Sequence, residues 1–287
     1  DSWSEYPWRV NPDGYGSDWA VFNKWELWLN EDSKRFINTK TERGPFCESP
    51  DVADHAYEDG KATLKTINDL QRLKDMQKPC FLACGFWRPH LPFNAPKRYW
   101  DLYDRNSIPL ASNFFLPDEL PKEVRPSTEI KGYGKVDLDD IDFRKEAKHG
   151  YWASVSYIDA QIGLILEELK RLELSDNTIV ILLGDHGWHL GEHTFWGKHN
   201  LMNNATHVPL IVYVPKGIKG KQEQVVELVD LYPTLCQLAN IPYPLEQLEG
   251  ESFKHFLTGD KHRTKDKAFI QWERGKNVVD QTYSYSE

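Results

Sequence analysis

Apolar residues recur at three- and four-residue steps along two stretches of the chain and run together in short blocks between them. In Asp54–Met76 the positions Ala62, Leu64, Ile67, Leu70 and Leu73 predict a helix, which Lys78-Pro79 closes. Phe143–Leu174 predicts a longer helix, with Val155, Ile158, Ile162, Leu166 and Leu169 on one stripe. The blocks Cys80–Phe86, Thr178–Gly184 and Val208–Pro215 are nearly all apolar, as strands of a parallel sheet covered on both faces are. Ser175-Asp176-Asn177 turns the second helix into its strand, and Leu228–Leu238 predicts a further helix. Ala268–Glu273 and Gln281–Glu287 read as β-hairpin arms. Residues 1–50 carry no sustained period and read as an irregular insertion, and 87–144 as a Pro-rich excursion with one short helix near Lys97–Tyr103. Helices alternating with apolar strands predict an α/β fold with a mostly parallel sheet sandwiched by helices.

Composition narrows the partner class. Of 287 residues, 40% are hydrophobic and 28% charged, the balance of a globular domain, and no run reaches the roughly 20 apolar residues of a membrane span. A net charge of -9 argues against nucleic acid, although one positive pocket on an acidic protein still admits a small anion. The four cysteines, Cys47, Cys80, Cys84 and Cys236, form no metal or redox spacing, and Cys80 and Cys84 fall on one face of a strand expected to be buried. The chain starts at Asp1 without a methionine and stops inside a hairpin arm, so it is expected to be an internal fragment or one part of a nicked protein.

Candidate chemistry collects where the predicted strands end, the edge at which open α/β sheets bind ligands. Thr178–Gly184 runs into Asp185-His186-Gly187-Trp188-His189-Leu190-Gly191-Glu192-His193. An acidic side chain there suits a metal: calcium would take the oxygen of Asp185, zinc would prefer the histidines, and residue types alone leave the choice open. The plain structural reading is that Asp185 caps the turn and the histidines are solvated. After Cys80–Phe86, prolines on both sides of His90 in Trp87-Arg88-Pro89-His90-Leu91-Pro92-Phe93 fix its backbone, which either positions an imidazole or packs it in a turn. Lys198, in Trp196-Gly197-Lys198-His199, is by itself a solvated charge.

Taken together, Gly184-Asp185-His186-Gly187, Leu190-Gly191-Glu192-His193, Trp196-Gly197-Lys198 and Ala205-Thr206-His207-Val208-Pro209-Leu210 resemble the type I sulfatases, and within them the iduronate-2-sulfatase branch. Gly85–Phe93, Tyr151–Asp159, Val226–Leu235 and Thr39–Pro45 are similar to that branch too, so the resemblance runs from about residue 35 to 260. It implies an alkaline-phosphatase-like α/β domain over residues 1–260 and the start of a smaller C-terminal α+β subdomain over 261–287. It implies one calcium ion held by Asp185 and His186, with His90 on the leaving-group side, Lys198 on the sulfate, and Trp188 and His193 as substrate contacts. His90, Lys198 and Asp185 are expected to meet at one sheet edge. The family's nucleophile, a formylglycine made from the cysteine of Cys-x-Pro-Ser-Arg, does not occur in this chain. Cys47, in Phe46-Cys47-Glu48-Ser49-Pro50, lacks that motif's spacing and arginine. Glu42 stands where the family has a cysteine able to pair with the one at Cys47.

The function implied is removal of sulfate from a sulfated sugar, iduronate 2-sulfate or a related polysaccharide 2-O-sulfate. The partners implied are a sulfated oligosaccharide and the missing N-terminal part of the same protein, without nucleic acid or membrane. The address implied is periplasmic, secreted or lysosomal. Two other readings compete: a phosphodiesterase or phosphonate monoester hydrolase of the same superfamily, and a non-catalytic glycan-binding relative.

Overall fold

A computed structural model describes residues 4–5, 8, 27–35, 43–118, 120, 124, 129–134, 136–259 and 265–287. In chain order the helices are α1 (Glu31–Arg35), α2 (Glu58–Met76), α3 (Lys97–Trp100), α4 (Ile141–Arg171), α5 (Asn203–Thr206), α6 (Leu231–Leu238) and α7 (Lys254–Thr258). The strands are β1 (Cys47–Glu48), β2 (Phe93–Asn94), β3 (Val180–Leu183), β4 (His189–Leu190), β5 (Trp196–Gly197), β6 (Leu210–Tyr213), β7 (Ala268–Trp272), β8 (Gly275–Val279) and β9 (Ser284–Ser286). Mixed helix and strand bear out the α/β class. The chain gathers into two compact units, Asp1–Leu174 with Leu190–Gly197, and Ser175–His189 with Lys198–Glu287.

The first unit is built on α4. Asp140 caps it by accepting the Asp142 N–H at 2.9 Å, and Lys170 and Arg171 sit in its last turn, where cations suit the helix dipole. The core joins Tyr57, Ala95, Tyr99, Trp100, Ala153, Tyr157 and Ile158. Gly150 lets this core close: a Cβ there would lie 2.8 Å from the Trp100 ring and 2.9 Å from the Phe93 Cβ. β1 and β2 pair in parallel, Cys47 with Phe93 and Glu48 with Asn94.

Both long helices form where predicted and bury part of the predicted stripe, Leu70 on α2 and Ile158 and Leu169 on α4, together with positions outside it. On α2 the buried residues are Asp59, Gly60, Thr63, Thr66 and Leu70, while Leu64 is exposed. On α4 Ala147, Gly150, Ala153, Tyr157, Ile158 and Gln161 turn inward, and Val155 and Leu166 are exposed. The helices meet through small and hydrogen-bonded residues, as where Gln71 donates to Glu168 at 2.7 Å and Gln161 to Asp54 at 2.6 Å. That contact selects size and polarity rather than hydrophobicity. Residues 80–86 pair with no strand among the described residues, and their accessibility alternates residue by residue, with Phe81 exposed. Cys80 is exposed rather than buried there.

In the second unit β3 and β6 pair antiparallel, Val180 with Tyr213 through Leu183 with Leu210. Ile211, Tyr213, Leu182 and Leu183 remain exposed, so these apolar strands are only partly covered. The turn Leu228–Asp230 that leads into α6 starts from a capping box in which the Glu227 N–H donates to Asp230 at 2.7 Å. The hairpin arms form an antiparallel sheet ordered β7-β8-β9. It packs in the same unit as Lys198–Gly259, and the expected domain boundary falls at residues 260–264, outside the described set.

Candidate functional site

His90 lies in the first unit, on the loop between residues 80–86 and β2. Asp59, 2% exposed on α2, ties this loop down: its carboxylate accepts the Trp87 N–H at 2.7 Å and the Arg88 N–H at 3.3 Å. Burial pushes the Asp59 carboxyl above the ordinary range, against the pull of the Arg88 charge and the two backbone donors. Buried Arg88 reaches forward and donates from Nε to the Asn94 carbonyl at 3.0 Å. Leu91 and Phe93 are fully buried, and both X–Pro bonds around His90 are cis. The His90 N–H donates to the Trp87 carbonyl at 2.9 Å. The imidazole is therefore held by packing and hydrogen bonds on both sides. Its Nδ1 lies 2.7 Å from the Leu91 carbonyl and its Nε2 3.1 Å from Glu129 Oε1. Glu129 was not legible from the sequence, because it follows His90 at a distance with no local pattern.

Asp185, His186, Trp188 and Lys198 lie in the second unit. Asp185 follows β3 directly and its side chain is 85% exposed, so the carboxylate is open to a ligand. One oxygen accepts the His186 N–H at 2.9 Å. The His186 Nδ1 donates to the Gly187 carbonyl at 2.9 Å, which in the neutral ring leaves the lone pair on Nε2, 3.7 Å from the other Asp185 oxygen. Two electron-rich atoms that close are satisfied by a cation between them. Gly187 is forced by the turn: its N–H donates to the Ala205 carbonyl at 2.7 Å, and a Cβ would lie 2.1 Å from the Asn204 carbonyl oxygen.

Lys198 places its ammonium 5.2 Å from the Trp188 ring centroid, a cation–π contact with a buried indole. The loop beyond it is braced twice. His189 and the Met202 N–H meet Asn200 Oδ1 at 3.3 and 2.9 Å, and the Asn277 amide of β8 donates to the Leu201 carbonyl at 2.8 Å. His199 stacks on Trp272 with ring centroids 5.0 Å apart.

His193 belongs to the first unit, with Leu190, Gly191 and Glu192. Its Nδ1 donates to the Phe115 carbonyl at 3.3 Å and its Nε2 accepts from the Asn113 amide at 3.2 Å, so both ring nitrogens have protein partners. Cys47 stands in the β1–β2 ladder, and Glu42 lies outside the described residues. Asp185 supplies the oxygen a hard cation takes, so it fits one ligand of a calcium site, whereas the His186 nitrogen beside it is not the oxygen calcium prefers. Among the described residues no group of three or more His, Cys, Asp or Glu converges to complete one.

Comparison with known proteins follows this geometry. The Sulfatase family matches residues 6–241. Iduronate 2-sulfatase of Homo sapiens is 35% identical over 261 residues, covering 74% of this chain and 47% of its own length. A sulfatase of Formosa agariphila is 34% identical over 217 residues, covering 72% of this chain and 40% of its own. The chain thus spans about half the length of these relatives or less. Among solved structures, a phosphonate monoester hydrolase from Silicibacter pomeroyi superposes with a TM-score of 0.74 at 19% identity, over 93% of this chain and 59% of its own, a likeness of fold. No helix among the described residues is long and apolar enough to cross a membrane. With its motifs, its fold and two-thirds or more of its length matched, the chain belongs to the sulfatase family.

Proposed function

We propose that this chain carries the leaving-group side and part of the cation side of a sulfate ester hydrolase acting on sulfated sugars, iduronate 2-sulfate foremost. The observation that carries the reading is the Asp185–His186 pair at the end of β3, with Lys198 in the same unit held against the Trp188 ring. An anionic ester needs fixed positive charge where its oxygens gather more, and a calcium ion bound at Asp185 and His186 would supply Lewis-acid polarisation there. Lys198 adds a second positive charge, and its stem is kept in place by the indole. A formylglycine, carried outside these residues, would supply the oxygen that attacks sulfur.

His90 is the acid in this scheme. Imidazole exchanges a proton near neutral pH, and the hydrogen bonds that hold the ring in its loop support this reading. The chemistry suits an enzyme that is periplasmic, secreted or lysosomal, where sulfated polysaccharides are turned over.

The test compares two variants on two substrates in the full-length protein. His90→Ala lowers kcat on a sugar sulfate by about 10²-fold or more, with a smaller effect on KM, and recovers much of the loss on an aryl sulfate whose leaving group needs no proton. Lys198→Ala harms kcat and KM on both. Equal losses for His90→Ala on both substrates would remove His90 from the role of acid. Preference for phosphonate monoesters over sulfate esters would move the protein to the other branch of its fold.

A further inference from the structure

Asp54 with Arg98, Tyr99 and Gln161 ties α2, α3 and α4 together, and Lys265 with Glu227 and Asp230 ties the start of α6 to the segment before β7. Both are structural. The pair formed by His90 and Glu129 is different, since its imidazole is 23% exposed and lies in hydrogen-bond reach of a more buried carboxylate.

We infer that Glu129 is the positioning residue that keeps a proton on His90 Nε2 for delivery to the leaving sugar oxygen, an inference that rests on the reading of His90 as the acid. The Leu91 carbonyl can only accept, so Nδ1, 2.7 Å away, carries a hydrogen. That fixes which face of the ring points where. Nε2 then meets Glu129 Oε1 at 3.1 Å, and this contact holds only with a proton between nitrogen and oxygen, because a bare lone pair would face a carboxylate. The side chains are 23% and 14% exposed, a depth at which water only partly screens the pair. Glu129 opens the short helical turn Glu129–Gly132, whose Ile130 is fully buried and whose neighbour Gly134 donates to the Gly44 carbonyl at 2.9 Å, so the carboxylate is anchored from behind.

The step balances as follows. As the incoming oxygen bonds to sulfur, the bond from sulfur to the sugar oxygen breaks and its electron pair stays on that oxygen. The proton on Nε2 passes to the same oxygen, leaving a neutral ring whose Nδ1 hydrogen remains on the Leu91 carbonyl. Solvent then returns a proton to Nε2, and Glu129 draws it back into place. Glu129 acts throughout by way of His90 and is never asked to touch the ester.

The experiment uses Glu129→Gln and Glu129→Ala in the full-length protein. The glutamine keeps size and can donate its amide to Nε2, so it holds the ring while removing the acceptor. On a 2-O-sulfated uronate disaccharide, Glu129→Gln lowers kcat by about 10- to 10²-fold with KM nearly unchanged, and on 4-nitrophenyl sulfate it lowers kcat by about threefold or less. Glu129→Ala does the same on the disaccharide. Nitrogen-15 NMR of the histidine rings gives a reading independent of turnover: in Glu129→Gln the His90 Nε2 resonance moves to the position of an unprotonated nitrogen while the Nδ1 signal stays. Equal kinetic losses on both substrates, or ring resonances unchanged by Glu129→Gln, would overturn the inference. If the unaltered protein hydrolyses neither sulfate, the function proposed above fails, while the NMR comparison still decides whether the pair exists.

Discussion

Replacing Asp59 with alanine should loosen the loop that carries His90 and destabilise the first unit at once. The carboxylate accepts two backbone N–H groups, from Trp87 at 2.7 Å and Arg88 at 3.3 Å, and lies beside the buried Arg88 guanidinium. Hydrogen bonds to a charged group are worth about 1.5–3 kcal/mol each. Against this stands the relief of desolvation, because burial is what raises the Asp59 carboxyl. The loss wins, since alanine leaves two amide hydrogens without their acceptor. The net effect is about 3 kcal/mol, which lowers the thermal midpoint by about 6–12 °C in a domain of this size. Asp59→Asn keeps one acceptor and should lose about half as much. The pH dependence has a definite sign. A carboxyl raised on folding contributes stability that is full below its unfolded value and is lost as pH rises through the folded one. The gap between the unaltered protein and Asp59→Asn is therefore widest on the acid side. Scanning calorimetry across that range reads both quantities. A midpoint unmoved by Asp59→Ala, or a gap that widens as pH rises, would refute the reasoning.

Two further outcomes are open to direct test. Gly187→Ala must push back the Asn204 backbone, since its Cβ would fall 2.1 Å from that carbonyl oxygen, so urea titration should show a loss of about 1–3 kcal/mol. Glu168 is held down to about 2 by hydrogen bonds from Arg171 and Gln71, so its contribution is present above the ordinary carboxylate range and is lost as pH falls towards that value; Arg171→Met should move the Glu168 carboxyl titration, followed by carbon-13 NMR, back up towards the ordinary range.

Both long helices, β3, β6 and the terminal hairpin were legible because apolar periodicity and strand length survive without knowledge of the partners. The inward face of α4 was not. A hydrophobic stripe ranks Val155 and Leu166 above Ala153 and Gln161, but the helix buries the small and hydrogen-bonding side and leaves Val155 and Leu166 exposed. Residues 80–86 misled for a related reason: their apolar run describes a strand between two neighbours, and the described residues supply none. At the proposed site, His90, Asp185, His186 and Lys198 stand out from motif order. Asp59 and Glu129, which govern the loop and the ring, were hidden. A carboxylate that accepts distant donors leaves no spacing in the sequence, and only the fold brings it to them.

The brace between β8 and the loop after Lys198 also ties distant codons to one fate. The Asn277 amide holds the Leu201 carbonyl, and a Cβ on Gly275 would press to 2.9 Å from the Leu201 Cδ1. A lineage that enlarges residue 275 must shrink residue 201 or surrender the setting of the lysine three positions before it. Drift in the terminal hairpin is thus answerable to the loop, and the two stretches should vary in step across descendants of this gene.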